Sequence, residues 1–491
     1  MAELALVVPA SRCESTRPPI GLMYLATYAE KNGISTEIID VKEPYHEKKI
    51  PDKIISRLRK SGAKYVGLTT HTPEVDETAA LAKRIKKELG KNITTIVGGV
   101  HVTLMPQDLL IGKGIDYGIM GEGEEALPNL IRAIKGGKGV GKVNGIAFAK
   151  GKKIIKTRPA ALLDLEKLLP LDYGKVDMEF YTRPNLYVVR GVPLSGLSLF
   201  TSRGCCFRCR FCSNPALFGS RVRYRKPEHV ADELEMLKER YKIDGFFFFD
   251  DTFTTNRKHV LGICDELIKR KLGMVWGCQT RANLIDRETL LKMKEAGCVQ
   301  MEFGVESGSD RMLKHLNKGI TKADVREAFR LCREVGMRRF ANFMINLPGE
   351  TEDDLQQSIA LAQEIKAEVT IFNITTPYPG SELFSEVSIK PGEYSNFNNV
   401  NYREQINYLQ EHYHLAEYDR NLNDLEKMLN EKFPSIHNLK INSKTAGVLA
   451  ANLGFLFTPR YLKLLLKSGR KRDYLSWGLG VGKMLKSMKR A

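Results

Sequence analysis

Two long stretches of this chain alternate short apolar runs with amphipathic segments, and that alternation restricts the fold more than any other feature. In residues 1–140 the strand-like run Leu4–Val8 precedes a helical pattern over Gly21–Asn32. Strand Ser35–Val41, helix Asp52–Lys60, strand Tyr65–Thr69, helix Val75–Leu89, strand Thr94–Val97, a helix, strand Tyr117–Met120 and a closing helix follow. Strands separated by helices of this length pair in parallel, so the spacing predicts an α/β, doubly wound sheet. Residues 141–194 read as a linker containing a hairpin-like segment. From Ser195 the alternation resumes through six strand–helix units, the last strand being Val369–Thr375, which predicts a partial (β/α)6 TIM-like barrel over 195–392. Residues 393–491 change character and read as an α-helical, basic carboxyl-terminal domain.

Ligands of parallel sheets sit at the carboxyl ends of the strands. In the first domain those ends are polar or glycine-rich: Thr70, His71 and Thr72; Gly98, Gly99 and His101; Gly121, Glu122 and Gly123. Glycines there let backbone approach a large flat ligand, although turns alone would also explain them.

In the second domain the loop after the first strand reads TSRGCCFRCRFCSNP. Cys205, Cys209 and Cys212 have the spacing C-x3-C-x2-C, which suits one corner of a cubic 4Fe-4S cluster with its fourth iron left open. A zinc site would ask for a fourth ligand, and Cys206 is adjacent to Cys205 while His229 is distant. Nine cysteines in 491 residues are too sparse for a disulfide scaffold. Later strands end in Asp250 and Asp251, in Gln279 and Arg281, and in Glu306. The acids could instead be helix caps, each contributing about 1 kcal/mol. Cys13, Cys264, Cys278, Cys298 and Cys332 lie apart and read as small core residues.

The cysteine spacing, with Phe211 before the last cysteine, resembles the signature of the radical S-adenosylmethionine (SAM) enzymes. That resemblance implies that the open iron chelates SAM and that the reduced cluster cleaves it to a 5′-deoxyadenosyl radical. It places Asp250 and Asp251 near the SAM amino group, and Gln279, Arg281 and Glu306 near its carboxylate or ribose. PPIGLMYLATYAEKNG, VGLTTHTPEV, IVGGVHVTLMPQDLL and GIMGEGEEALPNLI look like the flavodoxin-like cobalamin-binding domain that precedes the radical domain in one large subgroup. The D-x-H-x-x-G motif by which other corrinoid domains ligate cobalt is absent, so no protein ligand beneath cobalt is expected. His71 and His101 are expected as pocket or loop residues. The family implies class B methyltransferase-like chemistry, methylating an unactivated carbon of an apolar lipid- or tetrapyrrole-like substrate, with radical cyclisation as the alternative and a flavodoxin or ferredoxin as one-electron reductant. A corrinoid or redox sensor is the non-enzymatic reading.

The formal charge is +18, and Phe455–Ala491 alone carries ten basic residues against Asp473. Localised charge of this kind suits an anionic surface, phospholipid or nucleic acid. RNA methylthiolation would need further cluster cysteines in the first domain, where Cys13 stands alone, so nucleic acid is not expected. Thr445–Phe457 is too short to span a bilayer. The leucine–lysine run after it suits either a helix in the membrane interface or one packed on the barrel. No basic-then-apolar leader opens the chain, so a reducing cytoplasm is expected, with peripheral contact at the inner membrane face.

Overall fold

The computed structural model describes residues 2–9, 17–41, 50–137, 139–390, 392–397, 408–433 and 458–474. Cys13, the apolar run Thr445–Phe457 and the last residues of the basic stretch Phe455–Ala491 lie outside the described residues. The chain forms two compact units, one of 1–177, 210–221 and 376–413, the other of 178–209, 222–375 and 414–491.

The first unit is built on a seven-stranded sheet whose strands lie in the order Thr36–Ile39, Leu4–Val7, Tyr65–Thr69, Thr94–Gly98, Tyr117–Ile119, Ile146–Lys150 and Lys153–Lys156. Strands β1 (Leu4–Val7), β2 (Thr36–Ile39), β3 (Tyr65–Thr69), β4 (Thr94–Gly98) and β5 (Tyr117–Ile119) are parallel. Helices cover the sheet, so β1 is buried at all four positions and reads as a continuous apolar run. The helix Ile50–Ser61 shows why these segments pack: Ile50, Ile54, Ile55 and Leu58 face inward and its charged residues outward. The strand order reverses between β1 and β3, where a doubly wound sheet opens its ligand crevice. The hairpin in the connector, β6 (Ile146–Lys150) and β7 (Lys153–Lys156), extends this sheet antiparallel at β5.

The second unit opens with a hairpin, β8 (Asn185–Val189) and β9 (Val192–Leu194). Six parallel strands then pair in chain order: β10 (Gly196–Leu199), β13 (Gly245–Phe248), β14 (Val275–Thr280), β15 (Cys298–Glu306), β16 (Arg338–Ile345) and β17 (Val369–Ile374). A two-stranded ribbon, β11 (Ser202–Arg203) with β12 (Arg223–Tyr224), flanks the cysteine loop. The sheet does not close, which gives the partial barrel that six units predict.

Its open edge is covered. Along β17, Asn430 accepts from the N–H of Phe372 and donates to its carbonyl, both at 3.0 Å, so a side chain takes the place of a seventh strand. After β16, Asn346 Oδ1 accepts the N–H groups of Leu415 and Ala416, and Tyr418 Oη donates to Glu350 at 3.0 Å. Burial pushes the Glu350 carboxyl up to about 7.

The helix Pro459–Lys467 packs on the opposite end of the barrel. Tyr461, 2% exposed, sits among Val188, Val192, Leu194, Val275 and Val299 and donates to the Pro193 carbonyl at 2.8 Å. Leu464 and Leu465 join that contact, while Leu466 is 73% exposed. Of the two readings of the leucine–lysine run, the described part takes up packing on the barrel. No helix among the described residues is long and apolar enough to cross a membrane.

Candidate active site

The cysteine loop leaves the carboxyl end of β10, and its root is pinned by one buried carboxylate. Asp250, 1% exposed, accepts the Thr201 N–H at 2.7 Å, the Thr201 hydroxyl, and the Ser202 hydroxyl at 2.6 Å. Burial raises its carboxyl to about 6 against these hydrogen bonds. His259 reaches the Thr201 hydroxyl at 3.2 Å, and burial lowers its imidazole to about 4. Of the two acids that follow β13, Asp250 is therefore turned inward to anchor the loop. Asp251 is exposed at the strand edge, beside Thr252, whose hydroxyl lies 3.8 Å from Cys205 Sγ.

Gly204 takes φ +94, a turn that other residues adopt only under strain, just before the first cysteine. Cys205 is partly exposed, Cys206 exposed and Cys209 nearly buried, and all are free thiols. Burial raises the Cys205 thiol, a cost that a bound cation removes by favouring the thiolate. Cys212 and Phe211 belong to 210–221, which is grouped with the first unit. There Cys212 Sγ accepts the Asn214 N–H at 3.5 Å. Arg210 forms ion pairs with Glu382 and Glu386, and Ser213 donates to the Pro379 carbonyl at 2.7 Å. Among the described residues, no three His, Cys, Asp or Glu side chains converge on one ion. A cubic cluster makes a different demand: each thiolate takes its own iron, so its ligands stand apart.

Arg281 reaches this loop from the next strand but one. It follows β14, is 4% exposed, and lies 3.7 Å over the Phe207 ring with Nη1 donating to Cys209 Sγ at 3.5 Å. Its Nε and Nη2 are buried with no hydrogen-bond partner. Orphaned donors on a buried guanidinium are costly unless an anion meets them, so this group fits an anionic ligand beside the cysteines. Gln279 donates to the Asp250 carbonyl at 2.8 Å, tying β14 to β13. Glu306 ends β15 in a left-handed conformation (φ +65) and pairs with Lys318 at 2.7 Å. Arg281 and Glu306 follow strands that the periodicity marks, whereas Phe207 meets Arg281 from far along the chain and Lys318 reaches Glu306 from a loop that carries no pattern of its own.

In the first unit the strand ends form an edge poor in side chains. Gly99 (φ +108) presses on Thr70, whose carbonyl a Cβ there would meet at 2.5 Å. Gly121 (φ +75) has open space where a Cβ would project. Thr103 bridges the two loops, donating to the Gly99 carbonyl at 3.0 Å and accepting the Gly121 N–H at 2.9 Å. Gly98 ends β4, where a Cβ would stand 3.8 Å from Ile119, and Gly123 is packed against Leu25. Glu122 turns to the Leu163 N–H at 2.8 Å. The two histidines differ. His101 is fully buried, within 3.2 Å of both Thr72 and Asp108 and beside Tyr394, whereas the His71 ring is exposed and its pKa is raised by Glu74. Thr70 is also buried, bonded to Thr78 at 2.9 Å. A glycine edge with buried supports behind it fits a flat macrocycle lying against backbone.

Comparison with known proteins follows the same division. The family model of the B12 binding domain matches residues 8–131, and that of the radical SAM superfamily matches residues 199–362. An uncharacterized methyltransferase of Pyrococcus horikoshii is 31% identical over 372 residues, 75% of this chain and 78% of the relative. The anaerobic magnesium-protoporphyrin IX monomethyl ester cyclase of Rubrivivax gelatinosus is 31% identical over 381 residues, 76% of this chain and 67% of the relative. The structure of TsrM from Kitasatospora setae, a radical S-adenosylmethionine methyltransferase with cobalamin and a 4Fe-4S cluster bound, matches with a TM-score of 0.69 at 22% identity. It covers 79% of this chain and 78% of TsrM, a shared fold.

Proposed function

Because this chain belongs to the radical SAM enzymes that carry an amino-terminal B12-binding domain, we propose that it methylates an unactivated carbon of an apolar, lipid- or tetrapyrrole-like small molecule. The family's cofactors are a 4Fe-4S cluster, SAM and cobalamin. When bound, they supply a hydrogen-abstracting radical and a transferable methyl group, with the electron coming from a flavodoxin- or ferredoxin-type reductant.

The chain's own residues have separable tasks in this reading. Cys205, Cys209 and Cys212 would hold one iron each and leave the fourth to SAM. Asp250, with Thr201 and Ser202, fixes the root of their loop. Arg281 would meet the SAM carboxylate with its two unpartnered nitrogens, and Glu306, at the end of β15, would serve the same ligand. Asp251 and Thr252, beside Cys205, would receive the SAM amino group, and Phe211 precedes the last cysteine. Gly98, Gly99 and Gly121, supported by Thr70, Thr72 and His101, would carry cobalamin, with His71 exposed beside them. The observation that carries this reading is Arg281: a buried, incompletely bonded guanidinium touching a cysteine of the C-x3-C-x2-C loop.

Cyclisation with the same cofactors is the second reading, favoured by the similarity to the Rubrivivax cyclase. Cell extracts incubated anaerobically with the reduced protein and methyl-labelled SAM separate the two. Label in an apolar product supports methylation; a product lighter by two hydrogens and without label supports cyclisation. Absence of both, with SAM cleavage intact, overturns the apolar-substrate proposal.

A further inference from the structure

Asn317, Lys318 and Gly319 form a short link after the helix Asp310–His315, and each reaches a different part of the site. Asn317 and Gly319 both take left-handed backbone (φ +50 and +66), an arrangement that asparagine and glycine tolerate best. Asn317 Nδ2 donates at 2.8 Å to the carbonyl of Arg208, inside the cysteine loop. The Gly319 carbonyl accepts from Asn283 at 3.0 Å, and a Cβ on Gly319 would stand 3.3 Å from Arg281 Nη2. Between them Lys318, 6% exposed, places Nζ 2.7 Å from Glu306 Oε1.

The Glu306 side of this contact is equally constrained. Its left-handed backbone follows a register shift between β15 and β16 at Gly304. A side chain at Gly304 would place its Cβ 2.4 Å from Glu306 Oε1 and 2.8 Å from Lys318 Nζ, so the pair lies over a bare stretch of strand. Burying an ion pair contributes little net stability, because desolvation of both charges offsets their attraction. A left-handed glutamate adds backbone strain, of the kind that persists where the surrounding structure enforces it. Stability alone is therefore a poor reason for this arrangement.

We infer that Lys318 is a positioning residue for SAM. It fixes the Glu306 carboxylate at the strand edge and, through its two neighbours, ties that point to the cysteine loop and to Arg281. The inference rests on the radical SAM reading above and adds to it a residue that acts through Glu306 and not on the ligand itself.

The test uses the full-length protein, reconstituted anaerobically with iron, sulfide and cobalamin, as wild type, Lys318→Met and Lys318→Arg. Iron and cobalamin contents are read first. SAM affinity follows by equilibrium dialysis, and the electron paramagnetic resonance signal of the reduced protein is recorded with and without SAM. Lys318→Met should keep wild-type iron and cobalamin yet bind SAM at least about tenfold more weakly, with a smaller SAM-induced change in the spectrum. The KM for SAM in deoxyadenosine formation should rise with kcat changed less than about threefold, and Lys318→Arg should restore most of the affinity. Lys318→Met that binds SAM as wild type does overturns the inference alone. Loss of iron in both variants assigns Lys318 a purely structural role and overturns it too. Wild-type protein that binds no SAM overturns the underlying reading and the inference with it.

Discussion

Replacing Arg281 by lysine keeps a positive charge beside Cys209 but removes the planar fork. In the structure the guanidinium lies 3.7 Å from the Phe207 ring centre, gives Nη1 to Cys209 and leaves Nε and Nη2 for a ligand. An ammonium at this position can serve one partner at a time and cannot lie flat over the ring. Loss of one hydrogen bond from a charged donor costs about 1.5–3 kcal/mol. At 1.4 kcal/mol per factor of ten, SAM should bind about 10- to 150-fold more weakly to Arg281→Lys. Equilibrium dialysis with labelled SAM on anaerobically reconstituted protein measures this directly, with iron content as the control for an intact loop. Arg281→Met, which removes the charge as well, should bind more weakly still. An Arg281→Lys variant with full iron and a SAM affinity within about twofold of wild type would refute the assignment of the free nitrogens to SAM.

Other consequences are as concrete. Glu350 is buried with its carboxyl raised to about 7, so it binds a proton more readily folded than unfolded. Its contribution to stability is complete below about pH 4 and is lost as pH rises through 7, about 3 kcal/mol in all. Thermal unfolding of wild type and Glu350→Gln between pH 5 and 8 should therefore show the variant gaining relative to wild type as pH rises, and parallel curves would contradict this. Gly99→Ala places a Cβ 2.5 Å from the Thr70 carbonyl at φ +108. It should cost at least about 2 kcal/mol and lower cobalamin retention while leaving iron content unchanged, as read by absorbance and iron assay. Tyr461→Ala removes a ring buried at the base of the barrel and its bond to Pro193. It should destabilise the second unit by about 3–5 kcal/mol in denaturant unfolding.

The strand and helix order was legible because both domains are regular. Apolar runs buried on two faces and helices with one apolar face leave strong periodicities, and the helix expected at Val75–Leu89 forms over Val75–Glu88. The cysteine loop was legible from spacing alone. What the chain order does not encode is which way neighbouring polar groups turn. Asp250 and Asp251 are adjacent acids following one strand, yet one is enclosed by Thr201 and Ser202 and the other is exposed. His71 and His101 occupy similar strand ends and point to opposite environments. Pairings such as Arg281 with Phe207, or Asn346 with Leu415, join positions about 70 residues apart. They arise from tertiary packing that no local pattern foretells. Leucines interleaved with lysines read the same whether they meet lipid or protein, and only the burial of Tyr461 distinguishes the two.

In the proposed function three cysteines hold a four-iron cluster whose remaining iron receives SAM. Mössbauer and electron paramagnetic resonance spectra of the iron-57-reconstituted protein, recorded with and without SAM, test it most directly. The spectra should show four irons per chain in a single cubic cluster, one of them changing its signal when SAM is added, and loss of that cluster in Cys205→Ala, Cys209→Ala or Cys212→Ala. A cluster whose four irons are all indifferent to SAM, or full iron content in any of the three variants, would contradict it.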